Sequence, residues 1–244
     1  MKDSAFGRLI GVLVAPGETF RSIAERPAWV APLIVLVALA VGLQWTVRQR
    51  TDMEQAIREQ TEAFGLELTQ EQIDEQVEKS KNPTNQVIEA VATGVLIPVV
   101  IITLGALLLW IGFRMFGSEI RYVSSLSTLL YGLVPLFGVA TLLNIPLVLG
   151  RETVTMEEMT GGILMSHLGF LAGEDSSMAL RGLLQSFDFF SVWSIVLLVI
   201  GYRATARVST ATATSIVLAV WLLGVALKVG MMALPALIMN GGGS

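Results

Sequence analysis

Residues 90–113 read AVATGVLIPVVIITLGALLLWIGF, with no charged side chain from one end to the other. A helix crosses the hydrocarbon core of a bilayer with about 20 mainly apolar residues, so a run of this kind reads as a spanning segment. Four more runs match it, at 29–47, 126–149, 183–202 and 211–234. Across these four the charges are Asp188 and Lys228 alone. The sequence therefore predicts an all-α membrane protein built as a bundle of five transmembrane helices. Composition agrees: hydrophobic residues make up 53% and charged ones 15%, a balance a soluble core of this size does not need.

The same composition removes several function classes. A net charge of -4 leaves no basic footprint for nucleic acid. The absence of cysteine removes disulfides, thiolate catalysis and Cys-based zinc sites together. There is no Gly-x-Ser-x-Gly elbow, no phosphate-binding Gly-x-x-x-x-Gly-Lys loop and no His-Glu-x-x-His pair. The paired aspartates of an intramembrane protease are missing too, since Asp188 is the one aspartate close to a span. His167 is the single histidine, and it reads as a structural or interfacial residue rather than a metal ligand or proton relay. The expectation is a chain that is not an enzyme and uses no cofactor and no metal.

Outside the spans, residues 1–28 hold two short helical signals split by Pro16. Phe6, Leu9, Ile10, Leu13 and Val14 share one helical face. That run is too short to span. It reads either as an N-terminal interfacial helix with Arg8 snorkelling to the headgroups, or as a helix packed on the end of the bundle. Pro16-Gly17-Glu18 follows with no small-x-small site, so no signal-peptide cleavage is expected. The segment 241–244, Gly-Gly-Gly-Ser, reads as a linker remnant.

Residues 48–89 are the most polar part of the chain and read as an outer helical hairpin. Thr69-x-x-Gln72 fits a capping box and Asn82-Pro83 is a stop. Its acidic face (Glu54, Glu59, Glu62, Glu67, Glu71, Asp74, Glu75, Glu78) is a solvated surface or a partner surface over 52–82. The loop 150–182 carries a second cap signal, Thr155-x-x-Glu158, and an apolar run 163–172 too short to span, which suggests an interfacial or re-entrant segment. The pieces holding Arg8, Arg21, Arg26, Arg114, Arg121, Arg203 and Arg207 are short and basic, whereas those holding Arg48, Lys79 and Arg181 are long and acid-rich. The positive-inside rule then favours N-in and C-out.

Charges inside spans are costly and therefore informative. Asp188 and Lys228 fall at similar depth under this topology, which predicts an ion pair or a shared polar network between the fourth and fifth helices. As a structural pair they staple neighbouring helices. As a functional pair, with Asn144 and Thr141, they line a polar groove for a small transporter, channel or lipid scramblase. Pro98, Pro135 and Pro146 punctuate spans two and three, where freed carbonyls need other partners.

Two strings also carry a family resemblance. Pro16-Gly17-Glu18-Thr19-Phe20, followed by Ile23, Pro27, Trp29 and Pro32-Leu33, resembles the first-span approach of bacterial Yip1-domain proteins. Phe187-Asp188-Phe189-Phe190-x-x-Trp193, running to Gly201, Arg207 and Ser209, resembles the family's fourth-span opening and its last short loop. The resemblance implies a five-span protein with a cytoplasmic N-terminus, in which Pro16, Thr19, Phe20, Pro27, Asp188, Phe190, Trp193 and Gly201 are family positions serving architecture. The Asp-Leu-Tyr-Gly-Pro motif of eukaryotic relatives linked to vesicle traffic is not present; Leu130-Tyr131-Gly132 keeps a fragment of it. Some bacterial members resemble accessory subunits of ABC-type exporters. The leading expectation is a non-enzymatic protein of the bacterial inner membrane that organises a membrane assembly or partners a transporter.

Overall fold

The computed structural model describes residues 4–63, 68–155, 158, 163–173 and 176–241. Among these, regular structure is helical apart from one antiparallel bridge between His167 and Asp188. The helices are α1 (Ala5–Val14), α2 (Pro16–Glu25), α3 (Val30–Arg48), α4 (Met53–Ala63), α5 (Gln70–Lys81), α6 (Pro83–Val91), α7 (Ile97–Met115), α8 (Tyr122–Gly132), α9 (Ala140–Leu149), α10 (Met178–Ser186), α11 (Phe189–Thr205) and α12 (Thr210–Gly241). The reading of 241–244 as a linker falls, beyond Gly241, outside the described residues.

Three helices are long and apolar enough to span: Val30–Arg48, the continuous Pro83–Met115 and Thr210–Ala233. Tyr122–Gly132 and Val134–Leu149, bent by 46°, make a fourth if they are one span. The fifth expected run, 183–202, is two helices. The chain breaks at Phe187-Asp188, and α11, at 17 residues, is shorter than a full span. The break has a local cause: Asp188 is extended and its side chain caps the amides of Phe190 and Ser191, which starts a new helix there.

Both π turns and the break at Asn82 trace to proline. Pro98 lacks the N–H that would bond Gly94, and the chain answers with a π turn over Ala92–Leu96 that joins α6 to α7. Pro135 does the same between α8 and α9, where Val134–Val139 is π-helical. Pro83 fills the first turn of α6 under an Asn82 cap, so Asn82-Pro83 ends one helix and begins the next. The second long helix thereby starts at Pro83 rather than at 90.

The hairpin forms as α4 packed on α5, with the Thr69–Gln72 capping box in place. Ile73 is buried, while Glu71, Asp74, Glu75 and Glu78 face outward. Lys79, one turn on, bonds the Glu75 carboxylate and holds it below the usual range. Arg48 ties the hairpin's base to span one through Glu89 and the Ser80 carbonyl. The second cap also exists, Thr155 and Glu158 exchanging hydrogen bonds of 3.1 and 3.3 Å.

At the opposite end, α1 and α2 pack under α8 and α11. Leu9, Val12, Phe20 and Ile23 join Tyr131, Val134 and Leu197 in one buried cluster. Arg8 does not snorkel. It is 4% exposed and donates from Nη1 to the Arg26 carbonyl at 2.8 Å, at the negative end of α2. The other face of α1 leaves Phe6, Ile10 and Val14 exposed at steps of four, while its inner face is packed on the bundle.

Candidate functional site

Helices α7, α8, α9, α11 and α12 line an open cavity of about 860 Å³. Its body is apolar, with Ile101, Leu108, Phe137, Leu223 and Leu227 in the walls. Its mouth holds Asn144, Ser166, His167, Gln185, Asp188 and Lys228. Asp188, Lys228, Asn144 and Thr141 thus line one cavity.

Asp188 and Lys228 share this space without an ion pair between them. The Asp188 carboxylate is taken by its own helix: Oδ1 accepts from the amides of Phe190 at 2.8 Å and Ser191 at 3.0 Å. Oδ2 accepts from the Ser166 hydroxyl. Lys228 projects from α12, half-buried, and among the described residues no carboxylate stands at ion-pair distance from it.

The segment 163–171 is the strap that makes the mouth polar. The Leu164 amide donates to Asn144 Oδ1 at 3.0 Å. Leu168 N donates to the Phe187 carbonyl at 3.1 Å and Phe189 N to the Ser166 carbonyl at 3.0 Å, the two bonds of the isolated bridge. The strap crosses the bundle end as extended chain and a single 3₁₀ turn, Leu168–Leu171, and leaves Met165, Phe170 and Leu171 exposed. His167 caps that turn: its Nδ1 accepts from Gly169 N at 3.0 Å. Its Nε2 is buried with no partner, as are Gln185 Oε1 and Ser194 Oγ, and all three residues line the cavity. Among the described residues no group of three or more His, Asp or Glu is placed to hold a metal ion.

Sequence reasoning missed Ser166, Gln185 and Ser194. Gln185, Asp188, Ser191 and Ser194 recur every third residue, a polar stripe that was readable through the apolar run. Ser166 carried no signal, because it reaches Asp188 only through the strap.

The closed end of the bundle is where the two distant strings meet. Pro16 opens α2, and Thr19, buried, bonds back to the Ala15 carbonyl at 3.0 Å while lying on Gly11. Phe20 packs against Gly201, where a Cβ would sit 2.8 Å from its ring and from the Thr128 methyl. Trp193 packs beside this cluster and Phe190 is buried on α11. The sequence pattern of the Yip1 domain matches residues 10–231, which includes both strings. The chain belongs to the Yip1 family. It is also similar to the membrane protein YknW of Bacillus subtilis, 26% identical over 202 residues, covering 82% of this chain and 79% of that one. No solved structure matches. In this Yip1-family membrane protein the motif residues Pro16, Thr19, Phe20 and Gly201 are packing devices, and Asp188 is a helix cap that also faces the cavity.

Proposed function

We propose that the protein is a non-enzymatic, five-span organiser of the bacterial inner membrane, N-in and C-out, which serves a membrane assembly such as an ABC-type exporter as an accessory partner. The observation that carries this reading is the hairpin. Its acidic face is exposed along α5, its own pairs (Arg58–Glu54, Lys79–Glu75, Lys81–Glu78) are all local, and its base is tied to span one. A rigidly rooted, acid-rich projection suits contact with a basic face of another protein. Intact chain and a Glu71→Lys, Asp74→Lys, Glu78→Lys triple variant would be purified from the native host in mild detergent, with quantitative mass spectrometry of the companions. A stoichiometric membrane partner lost in the variant is the expected result; the same companions with both chains would end the hairpin reading.

A second reading, an autonomous transporter, channel or scramblase, is favoured by the cavity around Asp188 and Lys228. It predicts flux or lipid transfer in liposomes holding this chain alone.

A further inference from the structure

The cavity has an apolar body and a polar mouth, and the chemistry of each half names the kind of molecule that fills it. The wall residues Ile101, Leu227 and Phe137 are 62%, 60% and 41% exposed, although they line a concavity. In a spanning bundle such surfaces face hydrocarbon, so the cavity is continuous with the acyl region of the bilayer.

The mouth lies at headgroup depth. Lys228 follows Thr210 by 18 residues in one helix, and at 1.5 Å per residue this places it about 27 Å along the axis. Thr210 starts beside the polar turn of Arg207 and Ser209, one membrane surface. A hydrocarbon core is about 30 Å thick, so Lys228 reaches the far surface.

The mouth also has donors without acceptors. Because Gly169 N–H donates to His167 Nδ1, that nitrogen holds the lone pair, and the neutral ring carries its proton on Nε2. Nε2 is buried and has no acceptor. Lys228 brings a cation with no carboxylate at ion-pair distance among the described residues; Asp188 lines the same cavity, its oxygens held by two amides and a hydroxyl. Deeper in, the Ser194 hydroxyl is 2% exposed and unpartnered. Buried polar groups in native proteins are nearly always satisfied. Lys228 and His167 Nε2, both of the cavity lining, are each satisfied by an anion, and the group that fits the walls is an acyl chain.

We infer that the cavity is a binding site for an anionic phospholipid of the hairpin-end leaflet, with its phosphate at Lys228 and His167 and an acyl chain along α7 and α12. Gln185 Oε1, an acceptor without a donor, then takes a headgroup hydroxyl, which fits phosphatidylglycerol. At about 860 Å³ the space is near the top of the range for sites that hold drug-sized ligands, far more than a free phosphate needs. The inference does not depend on the partner reading above.

The test is native mass spectrometry of the intact chain in detergent, titrated with phosphatidylglycerol and with phosphatidylcholine of identical chains. Phosphatidylglycerol binds at least tenfold more tightly, Lys228→Met removes that preference, and Lys228→Arg keeps it. Leu227→Trp, on the hydrocarbon-facing wall, weakens both lipids alike and decides the matter if Lys228→Met does not fold. Equal affinity for the two lipids, or a preference that survives Lys228→Met, overturns the inference. So does full competition by millimolar inorganic phosphate, which would make this a free-anion site.

Discussion

The two ends of this bundle are built from the same helices and pack differently. The hairpin end holds the apolar-walled cavity, whereas the closed end is held between its helices by hydrogen bonds and carries a polar surface concavity of about 600 Å³ around Ser118, Arg121 and Arg207. At the closed end the helices approach on small residues and their hydroxyls pair across the contacts. Ser125 Oγ donates to the Ala106 carbonyl at 2.9 Å, Tyr202 Oη donates to the Ser125 carbonyl at 3.0 Å, and Thr128 donates to Thr205 at 3.0 Å. Ser118 reaches across to the Ala206 carbonyl at 2.7 Å, and Phe113 stacks on Tyr202 with centroids 4.5 Å apart. At the hairpin end the cavity walls are mostly Leu, Ile and Phe, and three polar atoms of its lining (His167 Nε2, Gln185 Oε1 and Ser194 Oγ) stay without partners, against Arg8 Nε at the closed end. Lipid tails are as apolar as leucine, so close packing and interhelical hydrogen bonds, rather than hydrophobicity, decide where helices hold together. Of the motif residues, Thr19, Phe20 and Gly201 pack at the closed end, while Asp188 lines the cavity at the other.

The largest way to break this contrast is to insert the same bulk at both ends. Gly201→Leu pushes a side chain into Phe20 and Thr128, both already within 2.8 Å of the added Cβ. Overpacking of this kind costs about 3 kcal/mol, so the detergent Tm should fall by about 10 °C. Gly105→Leu, on the cavity wall, meets only the Leu129 methyl at 3.5 Å and should leave the Tm nearly unchanged. Equal losses at the two positions would mean the ends are packed alike.

A smaller effect is expected where strap and helix join. Asp188→Ala removes the cap of α11 and the acceptor of Ser166, a loss of about 1 kcal/mol from the cap. Hydrogen exchange should quicken over 164–171 and the first turn of α11, and not in α2 or α8. Uniform quickening would show instead that Asp188 supports the whole bundle.

These same junctions mark what the sequence could and could not tell. The apolar runs, the Thr69–Gln72 box and the stop at Asn82-Pro83 were legible because each rests on neighbours within a turn. Asp188 and Lys228 stood out because charge is rare in spans, and the structure places both on one cavity. The direct ion pair was not to be had, because helix capping by Asp188 is local and takes its carboxylate first. For Arg8 the sequence left two placements open, snorkelling or packed on the bundle, since nothing in 1–28 tells that the carbonyl end of α2 folds back over it. The split of 183–202 was hidden by hydropathy, which sums residues and does not register an extended Asp188.

The finest distinction between the two ends is a single hydroxyl at each. Tyr202 is fully buried; its hydroxyl donates to the Ser125 carbonyl at 3.0 Å and lies 2.9 Å from the Ser125 hydroxyl. Tyr202→Phe keeps the ring and its stacking on Phe113 and loses only those bonds, so it should cost about 0.6–1 kcal/mol. Ser194 is as deeply buried, and its hydroxyl bonds nothing. Removing a polar group that has no partner removes a desolvation cost and no interaction. Ser194→Ala should therefore leave the Tm of lipid-free protein unchanged or raise it slightly. If the two variants lose the same stability, Ser194 has an occupant that survives purification, and the open end is closed by something other than protein.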